Sequence, residues 1–172
     1  AVIIPLSLTG MFILLYVTFG KFRQAGLVLA IVPLALFGGM LALNVRGMTL
    51  NVSSAVGFIA MFGLSIQNGI IMVSQVNGLR RGGMELRKSV IEGARQRFRP
   101  ILMTSVTTIL GLFPASLATG IGSDVQRPLA TVIVYGLMFS TLISMFLLPA
   151  FYYLVENNVL NKKKNDEKEY TI

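Results

Sequence analysis

The sequence predicts an all-α integral membrane protein: five transmembrane helices and one amphipathic helix at the membrane interface. Three observations predict it. Apolar runs recur at residues 1–19, 26–43, 52–77, 100–118 and 129–153, and ~20 helical residues are enough to cross a hydrocarbon core of ~30 Å. Only 13% of residues are charged, against about 25% in soluble domains, and mean hydropathy is +0.74. The charges fall in the connections and the C-terminal tail rather than within the runs.

The first run, Ala1–Phe19, has only Ser7, Thr9 and Thr18 as hydroxyl-bearing residues, with Pro5 in its first turns, where a helix tolerates proline. It lacks the basic flank of a secretory signal. Residues 20–25 form a short polar loop. The second run, residues 26–43, contains Pro33, which predicts a kink. A turn at 44–51 has Gly47 as its breaker. The third run, 52–77, carries Ser65, Gln67 and Asn68 near its middle. Polar side chains at that depth cost free energy unless they face protein or a water-filled path.

Between the third and fourth runs lies a basic connector. At about 100° per residue, Met84, Leu86, Val90, Ile91, Ala94 and Phe98 share one arc, and Glu85, Lys88, Ser89, Glu92, Arg95, Gln96 and Arg99 lie opposite. Residues 84–98 are therefore expected to be an amphipathic helix at the cytoplasmic interface, in preference to a partner-binding basic helix. The fourth run, 100–118, has Thr104 and Thr108 on one face. A loop with two glycines and a proline precedes the fifth run, 129–153, which has Pro149 near its end. The transmembrane domain is thus placed at 1–158 and a polar cytoplasmic tail at 159–172, of which Asn161–Tyr170 is expected to be solvated and without fixed structure.

Of the 15 Lys and Arg residues, all but two fall on the side of the first loop, the connector and the tail; Arg46 and Arg127 fall on the other. By the positive-inside rule this orients the connector and C-terminus to the cytoplasm and the N-terminus to the outside. Every Asp and Glu lies in a loop, a helix end or the tail. A proton- or ion-coupled pump needs a titratable group at membrane depth, and the runs contain none. Either the chain is not a pump, or such groups belong to another part of the assembly.

The chain has no Cys and no His. That removes thiolate sites and the commonest zinc ligand; no cofactor and no protein-held metal is expected. The net charge of +8 follows membrane orientation rather than a nucleic-acid-binding face. Met61, Met72, Met103, Met138 and Met145 are soft enough to ligate Cu(I), but without a paired spacing they read as gap-fillers. Ser53 with Gly57, and Ser65 with Gly69, make small-xxx-small faces that let helices approach. Gln67, Asn68, Thr104 and Thr108 are candidates for a polar seam between helices; the alternatives are hydrogen-bonded packing, favoured by the residues alone, and the lining of a proton path.

Residues 57–73 (GFIAMFGLSIQNGIIMV) and 92–130 (EGARQRFRPILMTSVTTILGLFPASLATGIGSDVQRPLA) resemble the last third of a resistance–nodulation–cell division (RND) efflux permease, most nearly the heavy-metal-efflux branch of the cobalt–zinc–cadmium type. The resemblance extends to about Asn157, and the run from Gly120 to Pro128 is its most specific part. It implies twelve spanning helices, of which this chain supplies the eighth to twelfth, and large periplasmic domains. It also implies a homotrimer in a bacterial inner membrane, with the N-terminus of this chain periplasmic and its C-terminus cytoplasmic, proton antiport, and partnership with a periplasmic adaptor and an outer-membrane channel. The proton-carrying carboxylates would lie in the fourth helix, within the N-terminal part of the permease. Drug-exporting members carry a Lys where this chain has Gln67, which favours the metal branch. The family's connector Arg falls on Arg97 and its eleventh-helix Thr on Thr104. Copper–silver members tend to carry a Lys where Ile101 stands, so divalent cations such as cobalt, zinc, cadmium or nickel are favoured over copper, silver or drugs. An alternative of another class is a membrane scaffold that transports nothing. In either case the chain is not an enzyme and is not expected to act alone.

Overall fold

The computed structural model describes residues 3–169, with side chains described from 9 to 159. Among these every regular element is a helix: α1 (Ile3–Phe19), α2 (Phe22–Val45), α3 (Val52–Arg81), α4 (Leu86–Leu117), α5 (Ser123–Leu142), a π-helical turn (Ile143–Leu147) and α6 (Leu148–Glu169). The last three run on as one rod. Four stretches are long and apolar enough to cross a membrane (Phe22–Val45, Val52–Arg81, Leu86–Leu117 and Ser123–Val159), and Thr9–Phe19 is a shorter apolar helix.

α5 is the hub, packing against α2, α3 and α4. Its middle is buried all round: Ala130, Thr131, Val132, Ile133 and Val134 are consecutive buried residues, the pattern of a helix with no polar face, whereas Met138, Phe139 and Leu142 nearer its end are exposed. The outer helices bury one side only. α3 turns Ser54, Gly57, Met61, Ser65, Asn68, Gly69, Met72 and Val76 inward, whereas Val56 and Ile59 face out. α4 is the least covered, with Met103, Val106, Leu110, Phe113 and Leu117 exposed. α3 starts sharply because Asn51 caps it, its side chain accepting from the Ser54 amide at 2.8 Å while Ser54 Oγ accepts from the Asn51 amide at 2.9 Å, a reciprocal capping box.

The small-residue faces are where the backbones meet. A Cβ on Gly57 would lie 2.9 Å from the Leu129 carbonyl oxygen of α5, and one on Gly69 would lie 3.0 Å from Val28 of α2. The Leu129 oxygen is backbone and cannot swing aside. Gly57→Val should therefore lower stability by about 1–3 kcal/mol, the usual overpacking cost, whereas Gly63→Ala, with nothing within 4 Å, should be neutral. Thermal unfolding of the two variants in detergent checks this; equal midpoints would show that α3 and α5 separate freely.

Three expectations need correction. The connector is not a separate interfacial helix: residues 86–99 and the fourth run form one helix, α4, continuous through Pro100 and Pro114. At 1.5 Å per residue it is about 48 Å long, so its polar N-terminal third extends past a hydrocarbon core. Its apolar arc also divides. Leu86 and Val90 join the protein core beside Val76, while Ile91 and Phe98 stay exposed. Pro100 does not end the helix because proline removes only one donor, and the Gln96 and Arg97 side chains are held by Gln75 of α3 across the gap. Lastly, the chain does not lose its fixed structure at Asn161. α6 continues to Glu169, since no Gly or Pro follows Pro149 and Lys and Glu are good helix formers; Tyr170–Ile172 lie outside the described residues. The Pro33 position lies within an unbroken α2.

Candidate functional site

A cavity of about 110 Å³ opens between α3, α4 and α5, lined among others by Gln67, Asn68, Arg97, Thr104, Ser105 and Thr108. All five residues singled out from the sequence thus face one space. They reach it from two helices that the connector keeps about thirty positions apart in sequence. α3 brings Gln67 and Asn68. Asn68 lies on the buried face and Gln67 on its exposed flank, because adjacent helical residues are ~100° apart. α4 brings Arg97, Thr104 and Thr108, three to four residues or multiples apart on one side. Leu137 of α5 forms the back wall.

Each wall is fixed differently. Arg97 is aimed by Gln75, one α-helical level toward the basic end, whose Oε1 accepts from Arg97 Nη2 at 2.8 Å and Nε at 3.1 Å. Gln75 Nε2 donates in turn to Gln96 Oε1 at 2.6 Å, and Gln96 Nε2 to Glu92 at 2.9 Å. Sequence reading missed Gln75; its signal was a polar residue two turns from Gln67 on the same helix. Thr104 donates to the carbonyls of Ile101 at 3.0 Å and Pro100 at 3.1 Å, and Thr108 to that of Thr104 at 2.9 Å, the usual way a hydroxyl is satisfied inside a helix. Their oxygen lone pairs remain for the cavity. Ser105 lies 2.8 Å from the Thr141 hydroxyl and so ties α4 to α5. Among the described residues, the amides of Gln67 and Asn68 have no hydrogen-bond partner. Each presents donors and an acceptor to a space large enough for a few waters.

This lining can hold waters and offer a fixed cation at its edge. It cannot itself exchange a proton near neutral pH, since none of its residues is a carboxylate, His or Cys. Among the described residues no three His, Cys, Asp or Glu gather as metal ligands. Of the methionines, Met61 and Met72 are core residues and Met103 and Met138 face outward.

The two ends of the bundle are laced by polar contacts that the sequence did not reveal. At the basic end, Gln24 and Asn77 form a reciprocal amide pair, Nε2 to Oδ1 at 3.0 Å and Nδ2 to Oε1 at 2.7 Å, and the Tyr152 hydroxyl donates to Asn77 Oδ1 at 2.6 Å. Glu156 accepts from Lys21 at 2.9 Å and from Arg80 at 2.5 Å. These contacts bring together the α1–α2 loop, the end of α3 and α6. At the opposite end Arg46 donates to the Ser116 carbonyl in the last turn of α4 at 2.9 Å and to Thr131 of α5 at 3.0 Å, and stacks over Tyr135. A cation there offsets the negative end of α4. Arg46→Ala should loosen that end, and hydrogen exchange in the last turn of α4 should rise severalfold; unchanged protection would mean the contact does not hold the turn.

A family model described as the AcrB/AcrD/AcrF family matches residues 1–156. The chain is 44% identical over 168 residues to Protein HelA of Legionella pneumophila, covering 97% of this chain and 16% of that protein. It is 40% identical over 170 residues to the cobalt-zinc-cadmium resistance protein CzcA of Cupriavidus metallidurans, covering 99% of this chain and 15% of that protein. A crystal structure of a heavy metal efflux pump superposes with a TM-score of 0.82 at 54% identity, over 91% of this chain and 15% of that one. The chain therefore spans about a sixth of the length of the curated relatives it matches.

Proposed function

Because the chain belongs to the AcrB/AcrD/AcrF family, we propose that it works as the C-terminal membrane segment of a proton-driven permease that exports divalent heavy-metal cations. Its similarity to CzcA and to a heavy metal efflux pump supports the metal as cargo. The observation that carries the coupling role is the cavity. Gln67, Asn68, Arg97, Thr104 and Thr108 meet at one place, and a membrane carboxylate in the rest of the permease would complete it. Gln67 is suited to that partner because an amide can donate to a carboxylate or accept from a carboxylic acid. Arg97, aimed by Gln75, would attract the ionised state from the cytoplasmic edge. Thr104 and Thr108 would orient the waters between them.

In this reading the basic end is cytoplasmic, the permease sits in the inner membrane as a homotrimer, and a periplasmic adaptor and an outer-membrane channel complete the export route. The Lys21–Glu156–Arg80 contacts support the topology, since they gather the first loop, the end of α3 and α6 at one end of the bundle. The test is growth of a metal-sensitive host on zinc, cobalt, cadmium or nickel. Residues 1–172 alone should give no resistance, having no carboxylate in the cavity, whereas the permease containing them should. Resistance conferred by the segment alone would refute the proposal.

A further inference from the structure

A second cavity, of about 190 Å³, lies at the basic end and is lined by Phe19, Lys21, Gln24, Asn77, Arg80 and Arg81. We propose that it binds a phosphate-bearing anion, supplied by the headgroup of an anionic membrane lipid. The charge balance is the first reason. Three cations line the cavity, and Glu156 is the one carboxylate joined to them among the described residues. Arg81 has no ion-pair partner there. Donors are in surplus too: Arg80 carries five N–H groups and Lys21 three, and Glu156 takes one contact from each.

Rigidity is the second reason. The floor is set before any ligand arrives, because Gln24 is 1% exposed and its amide is fully used by Asn77 and Tyr152. A bound anion would leave that floor alone and engage only the free donors of Lys21, Arg80 and Arg81. Glu156, itself buried, lies behind the two cations that it holds.

Position decides between a lipid and a free ion. Beside Lys21 an aromatic group faces outward. Phe22 is 69% exposed and Tyr16 47%, and Phe22 meets the rings of Phe12 at 4.8 Å and Tyr16 at 6.4 Å, edge to face. Aromatic rings next to basic residues mark the headgroup level of a bilayer, and basic pockets between helices there suit anionic headgroups. The phosphate would enter the cavity while the glycerol and chains lie along Tyr16 and Phe22.

The experiment uses the purified permease carrying this chain, delipidated in detergent, with binding of phosphatidylglycerol and phosphatidylcholine read by native mass spectrometry. Phosphatidylglycerol should bind more tightly than phosphatidylcholine. Arg81→Gln should weaken it about fivefold and Lys21→Gln with Arg81→Gln roughly 25-fold, each near-surface charge contributing comparably. Arg23→Gln, in the first turn of α2 and outside the cavity lining, should leave it unchanged. Millimolar inorganic phosphate that fails to displace the lipid supports a headgroup source; displacement supports a phosphate site open to free anions. Equal binding of the two lipids, parental affinity in Arg81→Gln, or an equal loss in Arg23→Gln would overturn the proposal.

Discussion

Gln67→Leu in the intact permease should reduce metal export about fivefold or more while leaving the amount of protein in the membrane unchanged. Gln67 lies on the exposed flank of α3 and lines the cavity without contributing to the core, so leucine is well tolerated there by the fold. What it removes is a donor and an acceptor facing the proposed carboxylate. An unsatisfied buried polar group costs about 1–3 kcal/mol, and 1.4 kcal/mol is tenfold in an equilibrium. Gln67→Lys should be as damaging by the opposite route: a fixed cation holds a carboxylate ionised, and a proton site that cannot reload does not turn over. Thr104→Val should show a smaller loss, because that hydroxyl already spends its hydrogen on the carbonyls of its own helix. Transport assays in membrane vesicles, normalised to permease content, check all three. A Gln67→Leu permease working at the parental rate would reduce the amide to helix packing.

Glu156→Ala should give the largest loss of stability of any single surface-end substitution. The carboxylate is 8% exposed and holds Lys21 and Arg80, whose side chains are 54% and 23% exposed. Removing one partner of a buried pair costs about 3–5 kcal/mol. Because Lys21 keeps much of its water, the loss expected here is nearer 2 kcal/mol. Glu156→Gln retains an acceptor and should lose about half as much. The exposed Lys88–Glu85 pair, at 4.0 Å, is the control, and Lys88→Gln should change nothing measurable. Thermal unfolding in detergent, with limited proteolysis of α6, separates the cases. An unchanged midpoint for Glu156→Ala would mean that the end of α6 is held by its apolar contacts alone.

Much of this was legible in the sequence because a membrane imposes few solutions. Apolar runs near 20 residues and a lopsided basic charge are direct consequences of the bilayer, and each run overlaps a helix of the structure, although α4 starts earlier and α6 ends later than its run. The cavity residues were legible for the same reason: Gln67 and Asn68 stand out in an apolar run, and Thr104 and Thr108 share a face. Their convergence was not, since spacing along one helix says nothing about which neighbour it meets. Gln24, Asn77, Tyr152 and Glu156 went unseen as a group because each sits at the flank of an apolar run, where a polar residue is ordinary. That the first, third and last runs end on the same side was the available clue.

Local irregularities were misread where proline was taken as punctuation. Pro100 lies inside α4 and does not end it. Pro149 follows a π turn at Ile143–Leu147, where the wider turn accommodates a residue with no N–H to give. The buried Ser140 and Ser144 hydroxyls beside it have no partner, and polarity alone would have placed them elsewhere.

The central claim is that the chain belongs to a machine exchanging protons for metal cations. Its most direct test is metal accumulation in inside-out membrane vesicles containing the permease, with an imposed acid-inside pH gradient and labelled zinc or cobalt outside. The prediction is accumulation against the metal gradient, with matching alkalinisation of the lumen, and collapse of both when a protonophore is added. Metal accumulation that persists undiminished with the gradient dissipated, or a gradient that drives no metal, would contradict it.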